Sequence, residues 1–496
     1  MSDDPQASPR GWFKLALGPL LFLAVEMFFR PQLPPELMVD GASPLLVRHA
    51  LAATLWIAVW WFTEALPIPA TSLLPLVLLP ALGLGDALSV SRHYGHELVF
   101  LFLGGLLLAV AMERTGLHQR IAMRIIRLFG NGRRALVLGF MVATAVMSMW
   151  ISNTATTVML LPVALAVLSS VDGDDGSGVN RPFPVALLLG IAYAANIGGL
   201  GTPIGSPPNL IFQSVYEDRT GLEVSFVEWM GYGVPLVVVL LPATWWYLVR
   251  GFAKGGNSKV ELPKFTKLTG EQITVMVVFG CAALLWITRG DFGGLQGWGS
   301  RLREHGVTLQ DSTVAVAAAL LLFIAPAKSG GRILDWSVAP RLPWGILLLL
   351  GAGFAISGAF DMSGLTVWIG LQIEGFGRLD WNDTALLLAL LTAVVALSIV
   401  VTEFASNTAS ANILLPVLFG VSTVLGPERF PPDLLMIASA LACTTGFAMP
   451  AGTPPNAIVF GTERISIGRF VRVGLVIDLF GLVLIVAMMM IRHALR

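Results

Sequence analysis

Ser148-Met149-Trp150-Ile151-Ser152-Asn153-Thr154-Ala155 closes one apolar run and opens another, and its core returns 254 residues later as Ser406-Asn407-Thr408-Ala409. A second motif follows each copy. Gly205-Ser206-Pro207-Pro208-Asn209 returns as Gly452-Thr453-Pro454-Pro455-Asn456. Ser, Asn and Thr favour turns and helix N-caps. A Pro-Pro pair forbids regular helical bonding and frees the carbonyls before it, and Gly in front of the pair lets backbone approach a ligand closely. Polar, helix-breaking signals at matching points of two hydrophobic halves point to the midplane site of a transporter.

The apolar surroundings decide the fold class. The chain has 496 residues, 55% hydrophobic and 12% charged. Runs of about 17–25 apolar residues, each long enough to cross a bilayer, recur near 13–30, 46–62, 67–85, 98–112, 183–199, 229–249, 271–288, 311–327, 343–360, 433–449 and 467–491. Two longer stretches, 135–168 and 384–421, are interrupted by the Ser-Asn-Thr motifs. The prediction is an all-α integral membrane protein with about 11 transmembrane helices. The chain opens on polar Met1-Ser2-Asp3-Asp4, and the first apolar run lacks a small-residue cleavage site, so no cleavable signal is expected. Formal net charge is zero, which argues against nucleic acid as a partner. Cys281 and Cys443 lie in separate apolar segments, with no disulfide expected. His93 and His96 lack a third ligand nearby and read as loop histidines rather than a metal pair.

A third match extends the duplication. Gly104-Gly105 leads to Glu113-Arg114-Thr115-Gly116-Leu117, and Gly351-Ala352-Gly353 leads to Asp361-Met362-Ser363-Gly364-Leu365. The expected organisation is a first helix and loop at 13–45, a first repeat at 46–250, a charged cytoplasmic linker at 251–270 and a second repeat at 271–496. Arg114, Arg120, Arg124, Arg127, Arg133 and Arg134, the linker lysines (Lys254, Lys259, Lys264 and Lys267), and Lys328, Arg332 and Arg341 mark the cytoplasmic side. Segments 217–228 and 374–383 are richer in Asp and Glu and face out. Five crossings per repeat then make the second repeat inverted, as in many secondary transporters.

In a bilayer, a broken backbone survives only inside protein or beside a wet cavity. Each Ser-Asn-Thr break therefore reads as the tip of a re-entrant hairpin. Such a tip offers hydroxyls and end-of-helix carbonyls for a small hard cation, and start-of-helix N–H groups for an anion. Ser148 and Ser152, like Thr402 and Ser406, stand one helical turn apart on one face. No Lys or Arg lies between Arg134 and Arg181, Arg181 and Arg219, Arg378 and Arg429, or Arg429 and Arg464. An anion held there must be neutralised by bound cations and helix ends rather than by a guanidinium clamp. Glu64 and Glu113 lie at or within apolar segments, where a carboxylate is either functional or a helix-end residue. Glu403 is expected to brace the hairpin. Asp478, in the last helix, carries no role readable from the chain.

These residues carry a family resemblance. The chain resembles the divalent anion/sodium symporters, the INDY-like carboxylate transporters, through Trp61-Phe62-Thr63-Glu64-Ala65-Leu66-Pro67, the Gly104-Gly105 segment, both Ser-Asn-Thr motifs and Gly452-Thr453-Pro454-Pro455-Asn456-Ala457-Ile458-Val459-Phe460-Gly461. The resemblance covers nearly the whole chain. It implies a homodimer in the inner (plasma) membrane, each protomer with a scaffold and a transport part that slides as an elevator, and sodium as the coupling ion with no other cofactor. It places one sodium near Ser148, Ser152, Asn153 and the carbonyl of Gly205, and a second near Thr402, Ala405, Asn407 and the carbonyl of Gly452. Ser152, Asn153, Thr154, Ser406, Asn407 and Thr408 would hold the carboxylates of a di- or tricarboxylate, with Ser206, Pro207, Thr453 and Pro454 at its edges. Residues 171–180, with Asp172, Asp174 and Asp175, depart from the pattern as an acidic insert at the membrane surface, with no role assigned.

The reading is a sodium-coupled symporter of C4 dicarboxylates. Alternatives within transport are a sodium-independent dicarboxylate exchanger, a tricarboxylate carrier and a sulfate carrier. A cation/proton antiporter wants an intramembrane Asp or Lys near the breaks, where only Glu403 stands. An embedded hydrolase wants a nucleophile with a base, and neither broken segment has a His. The expectation is therefore not an enzyme.

Overall fold

A computed structural model describes residues 9–32, 42–130, 132–172, 179–251, 267–291, 294–328, 330–377 and 382–495. Most of the acidic insert (173–178) and of the expected linker (252–266) lies outside the described residues. Among those described, every regular element is a helix, and an isolated bridge joins Pro326 and Arg332. Nine helices among the described residues are long and apolar enough to cross a membrane.

The first half begins with Pro9–Phe28 and Pro44–Thr63, the latter capped by Ser43, whose hydroxyl accepts from Leu46 N–H at 3.2 Å. Glu64 ends that helix in the left-handed region (φ 48°) and is exposed, so it is a helix-end residue and not a buried carboxylate. The segment expected to cross at 67–85 does not form one helix. It splits into Ile68–Thr71 and Pro75–Ala81, because Pro67, Pro69 and Pro75 each lack the N–H a continuous helix requires. Glu97–Arg114 follows, with Glu113 exposed in its last turn. The arginine-rich stretch after it is a surface helix, Leu117–Phe129: Leu117, Ala122, Met123 and Ile126 are buried while Arg124 and Arg127 point outward.

Both Ser-Asn-Thr stretches form hairpins. The first runs Arg133–Ser148 and Asn153–Asp172, the second Asp383–Phe404 and Asn407–Leu425. Each is followed by a broken helix. Pro182–Gly199, almost entirely buried, unwinds before Pro207–Thr220. The expected crossing at 433–449 is likewise shorter than its apolar run: helix Pro432–Cys443 stops, and Pro454–Phe460 starts eleven residues later. The motif asparagines explain how the unwound stretches survive without water. Asn209 Nδ2 donates to the carbonyls of Gly199 (2.9 Å) and Thr202 (2.8 Å). Asn456 Nδ2 donates to the carbonyls of Gly446 (3.0 Å) and Met449 (3.1 Å). Each pair of freed carbonyls is thus satisfied by a side chain that begins the next helix.

The helices behind the breaks, Phe226–Val249 and Ile467–Ala494, press directly on the unwound backbone. Gly233 meets the Leu200 carbonyl and Gly474 the Phe447 carbonyl, each closely enough that a Cβ would collide. Gly233→Val and Gly474→Val should therefore each cost about 1–3 kcal/mol. Thermal unfolding of purified protein checks this: both midpoints should fall, and a wild-type midpoint in either variant would show that the backbone contact is not close.

Candidate functional site

The four breaks converge on one cavity of about 310 Å³. Ser152, Asn153, Thr154, Gly205, Ser206, Pro207, Ser406, Asn407, Thr408, Gly452 and Pro454 line it, so most of the sequence-predicted site residues meet there. Ser148, Thr402, Ala405 and Thr453 do not line it and stand behind the surface, each buried. No charged side chain is among the lining residues. A larger cavity, about 520 Å³, lies between Phe226–Val249 and the last helix. It is lined mainly by apolar residues such as Pro235, Leu236, Val239 and Leu484, and its one charged side chain, Arg492, lies over the Tyr232 ring and donates to the Gly231 carbonyl, so chemistry and not size selects the smaller one.

Local capping builds each tip. Ser152 Oγ accepts from Ala155 N–H at 3.3 Å, and Ser406 Oγ accepts from Ala409 N–H at 3.1 Å. The first N–H groups of each second arm have no carbonyl within their helix and face the cavity end. With Pro207–Thr220 and the short Pro454–Phe460, the positive ends of four helices are directed to one place.

Behind each tip sits an oxygen-rich corner. Ser148 Oγ lies 2.6 Å from Asn153 Oδ1 and 2.7 Å from the Ala195 carbonyl. Thr402 Oγ1 lies 2.8 Å from Asn407 Oδ1 and 2.7 Å from the Cys443 carbonyl. A hydroxyl has one proton, so it can satisfy only one of its two acceptors. The surplus lone pairs suit a small hard cation. The Gly205 carbonyl flanks the first corner: a Cβ on Gly199 would stand 2.6 Å from Asn153 Oδ1 and 3.1 Å from Gly205 O. Ala405 ends the first arm of the second hairpin in extended backbone (φ −135°, ψ 165°), which turns its carbonyl off the helix axis. At Gly452 a Cβ would stand 2.9 Å from Glu403 Oε2 and 3.3 Å from the Met449 carbonyl.

Glu403 and Asp478 brace the broken helix rather than the hairpin tip. Glu403 accepts from Ala448 and Met449 N–H, both at 2.6 Å, and Asp478 accepts from Phe447 N–H at 3.0 Å. Asp478, unassigned from sequence, thus satisfies the first of three consecutive orphan donors.

Sequence reasoning missed three things. The carbonyls of Ala195 and Cys443 carry no signal in a one-letter code. Asn196 lines the cavity, and a lone amide in the apolar run 183–199 was a signal that could have found it. The facing wall is Ile68, Pro69, Phe102, Pro343, Gly345, Ile346 and Leu349, all without a polar side chain, so no motif marks it.

A citrate transporter family model matches residues 58–442. The chain is 41% identical over 491 residues to the sodium-dependent dicarboxylate transporter SdcS of Staphylococcus aureus strains USA300 and NCTC 8325, covering 95% of this chain and 89% of SdcS. In fold it is similar to the Alcanivorax borkumensis YdaH transporter (TM-score 0.56, 14% identity, 98% of this chain and 99% of that one). It is also similar to Neisseria gonorrhoeae MtrF (TM-score 0.52, 14% identity, 98% and 96%).

The oxygen count makes a direct prediction. Thr402→Val keeps the shape and removes the hydroxyl, and loss of a bond to a charged group is worth about 1.5–3 kcal/mol. Sodium binding, read as a titration of purified protein, should weaken about tenfold or more in Thr402→Val and survive in Thr402→Ser. Equal binding by the two variants would remove the hydroxyl from the cation site.

Proposed function

The chain belongs to the citrate transporter family and to the divalent anion/sodium symporters, and on that premise we propose that it is a sodium-coupled symporter of C4 dicarboxylates of the succinate, malate and fumarate class. It is a multi-pass membrane protein, which we place in the inner (plasma) membrane. The observation that carries the substrate reading is the uncharged cavity with two mirrored oxygen-rich corners and four helix N-termini. An anion enters favourably only if cations fill the corners, so the two bind together. Two equivalent tips suit an elongated ligand with one carboxylate for each: Ser152, Asn153 and Thr154 at one end, Ser406, Asn407 and Thr408 at the other. Ser206, Pro207, Thr453 and Pro454 close the edges. One sodium uses Ser148, Ser152, Asn153 and Gly205, the other Thr402, Ala405, Asn407 and Gly452.

The division of the cavity walls supports an elevator. Every polar group comes from the hairpins and broken helices, while the opposing wall, Ile68, Pro69, Phe102 and residues 343–349, offers only apolar side chains. A body carrying ions and substrate can slide along such a wall without breaking hydrogen bonds to it. Part of that wall belongs to a separate apolar cluster built on Val47, Ile57, Trp61, Leu349, Ile356 and Phe360, which suits a stationary scaffold. The assignment as a homodimer with inverted repeats at 46–250 and 271–496, joined by a cytoplasmic linker, rests on the family and on the mirrored motifs.

Uptake of labelled succinate into proteoliposomes, with sodium, potassium or proton gradients imposed in turn, tests the proposal. Sodium alone should drive it; uptake that persists in choline would favour an exchanger. Asn153→Ala and Asn407→Ala should each abolish uptake in folded protein. A lost packing bond in a membrane costs only about 0.6 kcal/mol and would leave most activity, so near-normal uptake in either variant rejects the two-corner site.

With no ionisable side chain among the lining residues, pH dependence near neutrality should follow the ligand. Hydroxyl and amide donors pair best with ionised carboxylate, so succinate uptake should fall as pH drops through its second pKa. Unlabelled butyrate should compete poorly. Inhibition by butyrate equal to that by succinate would sink the two-anchor arrangement, and stronger inhibition by sulfate or citrate would move the substrate class.

A further inference from the structure

The two halves of the site exchange hydrogen bonds, but not equally. Asn196, fully buried in the helix Pro182–Gly199, donates from Nδ2 to Thr453 Oγ1 at 2.9 Å across the repeats. Its Oδ1 accepts from Asn153 Nδ2 at 3.4 Å. Asn153 Oδ1 in turn lies 2.6 Å from the Ser148 hydroxyl. These side chains form a head-to-tail chain from the first oxygen-rich corner to the far edge of the cavity: Ser148, Asn153, Asn196, Thr453.

The position equivalent to Asn196 in the second half is Thr444, one residue after the Cys443 carbonyl as Asn196 is one after Ala195. Its hydroxyl lies 3.1 Å from Ser206 Oγ, mirroring the bond from Asn196 to Thr453. The shorter Thr side chain has no amide to offer Asn407, and no bond between Thr444 and Asn407 is present among the described residues. One half has a continuous relay and the other an interrupted one.

We propose that Asn196 is a positioning residue that couples the first cation site to substrate binding at the second half-site; this rests on the sodium-symport reading. A cation on Asn153 Oδ1 draws electron density from the amide and strengthens its N–H donors. That strengthens the bond to Asn196 and, through it, the bond to Thr453, because bonds in such a chain polarise one another. Thr453 Oγ1 accepts from Asn196 Nδ2 and also from Asn456 N–H at 3.4 Å. With both lone pairs engaged, its own proton is left to donate. The Thr453 hydroxyl, just behind the cavity surface at Pro454, becomes an obligate donor, which suits a carboxylate oxygen reaching that edge and discriminates against a donor there. Filling the first corner therefore strengthens a donor direction already built into the opposite edge, before the anion arrives. The second corner lacks this wire, so its cation acts through charge alone.

The test is the mutual effect of sodium and succinate on each other's affinity, measured by equilibrium binding to the full-length purified protein. Linkage requires the same factor in both directions, ordinarily about 5- to 150-fold. In Asn196→Ala that factor should fall several-fold, and more than sodium affinity measured without succinate. Asn196→Leu keeps the size but has no donor for Thr453 and no acceptor for Asn153. It should lower the factor likewise, and it serves where the Ala variant fails to fold. A wild-type factor in both variants overturns the relay, as does loss of sodium binding itself in both, which would make Asn196 a cation ligand instead. If the wild-type protein shows no mutual effect at all, the sodium-symport reading falls and the relay with it. Coupling intact in wild type and unchanged in the variants overturns the relay alone.

Discussion

One hydroxyl proton set between two acceptors, deep inside a membrane protein, is the constraint on which the rest of this structure depends. It occurs twice, at Ser148 with Asn153 Oδ1 and the Ala195 carbonyl, and at Thr402 with Asn407 Oδ1 and the Cys443 carbonyl. On the proposed mechanism, a cation completes oxygens brought this close without enough protons. Bringing them together requires a broken hairpin and a helix end at the same depth, so the corner dictates re-entrant architecture. Everything that would otherwise pull the broken backbone apart is then satisfied from within. Asn209 and Asn456 hold the freed carbonyls, and Glu403 and Asp478 hold the freed N–H groups at 447–449.

The same economy of groups shapes the anion side. A lysine or arginine in the cavity would bind a carboxylate without help, and sodium would then be optional. Helix N-termini contribute only partial charge, enough to orient an anion but not to hold it alone. On the proposed mechanism, a site built from them is conditional on its ions. The apolar facing wall adds a second condition, since a partly loaded, charged site would have to cross it desolvated. On the proposed mechanism, this penalises movement of a half-filled carrier and favours movement of the empty or fully loaded one.

The halves are similar without being interchangeable. Asn196 reaches Thr453, and Thr444 meets Ser206, so each half supplies a side chain to the other's edge. Asn at one position and Thr at its counterpart leave the two corners differently wired. The braces differ too. The carboxylates that satisfy the second unwound segment, Glu403 and Asp478, have Met149 and an apolar residue of Phe226–Val249 in the corresponding places of the first half. There Trp229 Nε1 donates to the Leu200 carbonyl at 3.0 Å, so an acceptor is satisfied where the second half satisfies donors.

Much of this was legible in the chain, because the bilayer permits few solutions. Long apolar runs had to be helices, Ser-Asn-Thr inside them had to be a protected break, and Pro-Pro-Asn had to begin a helix after one. Such constraints act within a few residues, and residue type alone states them. The arginine-rich helix Leu117–Phe129 and the split at 67–85 were less legible, since an amphipathic surface helix and a proline-punctuated turn both blur into their apolar neighbours. What the tertiary structure alone decided is which main-chain oxygens meet the motif hydroxyls, what Asp478 satisfies, and which wall faces the site. The Ala195 and Cys443 carbonyls, the backbone N–H of Phe447 and the apolar row from Ile68 to Leu349 belong to every protein's common vocabulary. Only packing between segments far apart in the chain gives them a partner, and no local pattern of side chains records that meeting.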